Sequence, residues 1–99
     1  MTEPLVIYGD PGSGNCLKVK WVADHLGIPA TWCTIDVPGG GAREPAFLAL
    51  NPAGRVPLVV FPDGETLSES NAIIIHLAEG TALIPEAARA RVRMLQWMF

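Results

Sequence analysis

Ninety-nine residues make one domain's worth of chain, enough to bury a core without disulfides or metals. With 49% hydrophobic and 17% charged residues the chain is globular rather than disordered, and its net charge of -3 argues against a nucleic-acid partner. Cys16 and Cys33 are too few for a disulfide framework and have no zinc spacing.

The opening MTEPLVIYGDP has no basic region, and no apolar run approaches the roughly 20 residues a bilayer requires. A cytoplasmic protein without membrane contact is the expectation. Leu5 to Tyr8 is a continuous apolar run and predicts a buried strand. From Asn15 to Leu26, Val19, Val22, Ala23 and Leu26 recur at helical spacing, and Gly27 followed by Ile28-Pro29 is a stop signal. Ala30 to Val37 predicts a second strand, Pro38 to Gly41 a flexible loop, and Glu44 to Leu50 a short helix that ends before Pro52.

Pro57 to Phe61 predicts a third strand, and Pro62-Asp63-Gly64 a turn into a short fourth strand, Glu65 to Leu67, as an antiparallel hairpin. A helix then opens at Ser68 or Ser70 and runs to Glu79, with Ile73, Ile74 and Leu77 on its apolar face. Glu86 to Phe99 is again helical. The order βαβα then ββα predicts an α/β fold with a mixed four-stranded sheet. The last helix stops without a cap on Trp97-Met98-Phe99, so the chain reads as cut within a helix that packs on further protein.

The loop GDPGSGNC, residues 9 to 16, has the glycine spacing of a phosphate-binding GxxxxG. Asn15 and Cys16 stand where that motif needs Lys and Ser or Thr, so the phosphate charge has no partner. A dinucleotide fingerprint fails too, because Leu17 replaces its last small residue. What remains is a loop delivering Ser13 and Cys16 to a helix N-terminus, where free N–H groups and the dipole favour a thiolate. Either residue can serve a sulfur nucleophile; equally, Ser13 can simply cap the helix while Cys16 packs.

Farther along, Pro57 follows a β-branched residue at a strand start and is a candidate cis bond. A cis bond would present the Val56 backbone to an extended peptide. The helix start near Ser70 suits a carboxylate, Glu69 an ammonium and Arg55 a second carboxylate. A peptide with an α-amino-acid head, a thiol and a distal carboxylate satisfies all of these groups.

Asn51-Pro-Ala-Gly-Arg-Val-Pro57 with Leu67-Ser-Glu-Ser-Asn-Ala-Ile73 resembles the glutathione-binding half of cytosolic glutathione S-transferases of bacterial type, and the similarity covers nearly the whole chain. The resemblance implies a thioredoxin-like domain over residues 1–80 with cis-Pro57, then a linker and the start of an all-helical domain over residues 81–99. It implies γ-glutamyl recognition by Glu69 and Ser70, cysteinyl pairing by the Val56 backbone, and glycyl carboxylate contact near Arg55. Ser13 is favoured as the group that meets the thiolate, with Asn15 and Cys16 as alternatives. The implied partners are glutathione as co-substrate and a small electrophile, with no metal, in a homodimer of the full-length protein. Two other functions stay open: a glutaredoxin-like oxidoreductase using Cys16, and a non-catalytic binding module.

The remaining candidates have plainer readings. His25 belongs at the surface near a helix end, and His76 to packing or an interface. Trp32 and Cys33 read as core or sheet-face residues, and Trp21 and Trp97 as apolar anchors. Arg89, Arg91 and Arg93 spread around their helix at a spacing of two, which suits a solvated or dimer-facing role better than a ligand site.

Overall fold

The computed structural model describes residues 3–99. Strand β1 (Leu5–Gly9) leads into helix α1 (Gly14–His25), then strand β2 (Ala30–Thr34) and a single 3₁₀ turn at Gly41–Arg43. Helix α2 (Pro45–Leu50), strands β3 (Leu58–Val60) and β4 (Thr66–Ser68), and helices α3 (Ser70–Ala78) and α4 (Ala88–Met98) complete the chain. The sheet order is β2-β1-β3-β4, with β1 parallel to β2 and antiparallel to β3, and β3 antiparallel to β4. This is the mixed four-stranded, thioredoxin-like arrangement that the resemblance implies, and the Val56–Pro57 bond is cis.

Both sheet faces are covered, which is why the central strands read as continuous apolar runs rather than alternating ones. On one face Leu5, Ile7 and Val59 pack with Val19 and Ala23 of α1 and Ile73 of α3. On the other, Leu58 packs with Ala42 and Phe47, against Tyr8, Ile35, Leu50 and Val56. Helix α1 ends as its sequence signal requires. Gly27 takes φ +67°, its N–H donates to the Asp24 carbonyl (3.2 Å), and the Ile28 N–H donates to the Ala23 carbonyl (2.9 Å).

Several boundaries differ from the sequence expectation. Strand β2 stops at Thr34 instead of Val37, because β1 offers no partner beyond the bond from Ile35 N–H to the Gly9 carbonyl (2.8 Å). The glycine stretch after it is a tied turn rather than a flexible loop: the Gly39 N–H donates to Asp36 Oδ1 (3.2 Å) and the Gly41 N–H to the Asp36 carbonyl (2.8 Å). Helix α4 begins at Ala88, two residues after the expected start. Trp21 is not an anchor in this domain. It sits about 200° around α1 from the buried Val19 and is 61% exposed. Trp97 is 89% exposed.

A polar chain joins three helices behind the site. Lys18 Nζ donates to Asn71 Oδ1 (2.8 Å), and Asn71 Nδ2 donates to the Met98 carbonyl (3.1 Å). It fixes the first turn of α3 against α1 and the end of α4. Among the described residues no helix is long and apolar enough to cross a membrane.

Candidate functional site

Two adjoining cavities share Arg55 and Val56. The larger, about 420 Å³, is walled by Asp10, Gly12 and Ser13 on one side, by Val37 and Pro38, and by Gly54 to Val56. The smaller, about 130 Å³, adds Asn15, Asn51, Pro57, Glu69 and Ser70. The structure therefore brings Ser13, Asn15, Arg55, Val56, Pro57, Glu69 and Ser70 into one groove between the N-termini of α1 and α3. A third cavity, about 440 Å³, lies over the segment before α4. Its charged pair, Glu79 and Arg91, is already joined at 2.8 Å.

Ser13 caps α1 and faces the groove at once. Its backbone is extended (φ -102°, ψ 121°), and its Oγ accepts from the Cys16 N–H at 3.4 Å. That bond is long for N–H···O. Because the hydroxyl accepts in it, its own proton is left to donate into the larger cavity.

Cys16 does not share this position. It is fully buried, at 0% exposure, with its Cβ close beside Gly9. A Cβ on Gly9 would lie 2.6 Å from the Trp32 ring and 3.0 Å from the Cys16 Cβ, so only glycine permits this packing. In this conformation the Cys16 thiol, an alternative to Ser13 in the sequence, has no open face toward a ligand. Cys33 is half-buried on β2. His25 and His76 are both exposed, and His76 sets its ring edgewise to Phe61 at 5.3 Å.

The segment before Pro57 is shaped by Asn51, a buried polar residue at 7% exposure. Its Nδ2 donates to the Arg55 carbonyl (2.9 Å), while Oδ1 accepts from the Ala53 N–H (3.3 Å). The Gly54 N–H donates to the Asn51 carbonyl (2.9 Å), and Gly54 takes φ +64°. These bonds hold residues 52–55 as a compact turn that delivers Val56 to the groove. At the other end Glu69 adopts φ 72°, a region costly for a residue with a side chain. It accepts the Ile73 N–H (2.9 Å) and starts α3, so the free N–H groups of the first turn open beside Ser70. Opposite charges at Arg55 and Glu69 in one small cavity suit a zwitterionic ligand better than a simple anion or cation.

Asp10 ties the two loops of the larger cavity. Oδ1 accepts from the Gly12 N–H (2.8 Å) and Oδ2 from the Val37 N–H (3.0 Å). These bonds, that from Gly12 first, hold its carboxyl below the ordinary value of 3.8. A carboxyl lowered on folding contributes stability above its unfolded value and loses it as pH falls through the folded one. The Gly12 and Val37 amide resonances should therefore titrate together with a midpoint below 3.8. Two-dimensional NMR over an acid titration checks this, and a midpoint at or above 3.8 refutes the tie.

Sequence reasoning missed Asp10, Val37 and Pro38, and saw Asn51 only as the edge of a motif. A signal was present, since Asp or Asn before Pro favours a local side-chain turn. The long-range bond from Asp10 to Val37 had none. Among the described residues no three His, Cys, Asp or Glu side chains converge as a metal site.

Residues 12–79 match the family model described as "Glutathione S-transferase, N-terminal domain". The chain is similar to glutathione S-transferase 3 of Zea mays, 40% identical over 92 residues, which cover 88% of this chain and 41% of that protein. It is also similar to the disulfide-bond oxidoreductase YfcG of Escherichia coli, 39% identical over 86% of this chain and 43% of that one. A solved glutathione transferase homolog from Sulfitobacter with bound glutathione superposes with a TM-score of 0.89 at 26% identity, covering 96% of this chain and 47% of that one. The chain thus spans less than half the length of these relatives.

Proposed function

Because the chain belongs to the glutathione S-transferase family, as its N-terminal domain, we propose that its groove binds glutathione and activates the thiol for attack on an electrophilic carbon. One observation carries the reading. Ser13 lines the larger cavity, and that cavity shares Arg55 and Val56 with the zwitterion-suited smaller one. In this arrangement Ser70 and the first N–H groups of α3 take the γ-glutamyl carboxylate, and Glu69 takes its ammonium. The Val56 backbone pairs with the cysteinyl residue, and Arg55 takes the glycyl carboxylate.

The Ser13 hydroxyl donates a hydrogen bond to the glutathione sulfur and the positive end of α1 favours the thiolate, so the thiol proton is released to water. The thiolate then forms a carbon–sulfur bond as the leaving group departs with its electron pair. Asn15, exposed on the first turn of α1 and lining the smaller cavity, is the alternative donor. Residues 81–99 begin the helical domain of a longer cytoplasmic homodimer, and that domain supplies the rest of the electrophile pocket.

The test is Ser13→Ala in the intact protein, assayed by conjugation of glutathione to chlorodinitrobenzene. A hydrogen bond to a charged group contributes about 1.5–3 kcal/mol, so turnover should fall about ten- to a hundredfold while glutathione still binds. An unchanged rate removes Ser13 from the role and leaves Asn15.

The likeness to a disulfide-bond oxidoreductase favours a second reading. Two glutathione molecules would reduce one disulfide, giving two thiols and oxidised glutathione, with both attacking sulfurs supplied by glutathione. Because Cys16 is buried, Cys16→Ala should leave glutathione-dependent reduction of a small disulfide intact. Loss of that activity with the fold preserved would instead assign the chemistry to Cys16.

A further inference from the structure

We propose that Asp10 is a positioning residue for the second substrate, its carboxylate holding the Ser13 wall and the Val37–Pro38 wall of the larger cavity at a fixed separation. The proposal rests on the glutathione reading, in which the tripeptide enters the smaller cavity and runs along the Arg55–Val56 edge shared with the larger one, its sulfur toward Ser13. The groups suited to an amino-acid head, Glu69 and Ser70, line only that smaller cavity. What the larger one adds is the face made by Val37, Pro38 and Gly54, opposite Gly12 and Ser13. A thiolate near Ser13 therefore has open volume on its Val37 side, where an electrophile or a disulfide would approach.

Asp10 is placed to set that volume. Its backbone carbonyl accepts the Ser13 N–H (2.9 Å), and its two carboxylate oxygens hold Gly12 and Val37. One residue thus grips the nucleophile loop at two points and the facing loop at a third. Beyond the bond from Ile35 N–H to Gly9, the Val37–Asp10 bond is what returns the strand-less segment after β2 to the site. Gly12 fits the same contact closely, since a Cβ there would meet Asp10 Oδ1 at 3.2 Å. Both side-chain bonds lie at the exposed surface. Their N–H groups can turn to water if the carboxylate is removed, so the variants should fold while the walls lose their spacing.

The experiment compares wild type, Asp10→Ala and Asp10→Asn in the intact protein, with chlorodinitrobenzene as second substrate. For Asp10→Ala the KM of the electrophile should rise on the order of tenfold, as for loss of a charge-assisted hydrogen bond, while the KM of glutathione stays put. Asparagine has one acceptor oxygen and can keep one of the two bonds, so it should fall between. Amide exchange at Gly12 and Val37 should quicken in Asp10→Ala. An unchanged electrophile KM, or equal rises in both KM values, overturns the proposal. If the wild type binds no glutathione in a titration, it is the functional reading that fails. The brace is then judged on exchange alone, and unaltered Gly12 and Val37 amides overturn it.

Discussion

Replacing Asn51 with alanine is expected to lower stability by about 1–3 kcal/mol, the usual cost of leaving a buried polar partner unmet, and to weaken glutathione binding sharply. The side chain is nearly closed to solvent, and its two bonds run to the Arg55 carbonyl and the Ala53 N–H within one turn. Alanine leaves both groups without this partner, and the turn over residues 52–55 loses two of the bonds that close it and can open. That opening moves Val56 and Arg55, which line both cavities. Asn51→Asp should not rescue, because a carboxylate cannot donate to the Arg55 carbonyl. Urea denaturation and a glutathione titration in the intact protein read the two effects. Native affinity in Asn51→Ala would show that the turn holds its shape without this residue.

Ile7→Ala should cost more in stability and nothing in affinity. Ile7 is 1% exposed on the central strand, where its register neighbours are Trp32 and Val59, and it packs in the core beneath α1 and α3. Removing a buried isoleucine to alanine typically costs about 2–5 kcal/mol, the lost transfer energy plus the cavity left behind. Both sheet faces are packed, so the neighbours can collapse only partly into the hole. Below the lowered melting temperature, the groove should bind glutathione as the wild type does. A drop in affinity matching that of Asn51→Ala would mean that core packing and site geometry are not separable here. Measured together, the two variants distinguish a site held by its own local bonds from one held by global stability.

Much of the frame was legible along the chain, for local reasons. The end of α1 follows from Gly27, since a glycine there accepts the positive φ that a left-handed cap requires. The β3–β4 hairpin follows from Pro62-Asp63-Gly64, where Gly64 takes φ +92°. The composition of β2 predicts a strand to Val37, whereas pairing needs a neighbour and β1 ends at Gly9. The size of Trp21 alone predicts an anchor. Burial depends on which side of α1 meets the sheet, and Trp21 lies on the other side.

By itself the sequence determined which short segments form strands and helices, where glycine and proline stop them, and the residue types that suit an amino-acid head and a thiol. Those are properties of neighbouring residues, set by backbone sterics and hydrophobic spacing. Only the tertiary structure decided that Cys16 is buried beside Gly9 while Ser13, three residues earlier, lines the groove. The physical reason is helix geometry. Three residues span most of one turn, but the serine is the cap at the solvent end, and the cysteine is the first position turned down onto the sheet. Asp10 makes the same point across a longer distance. Its bond to Val37 joins residues 27 apart, and nothing in either local stretch specifies that they meet.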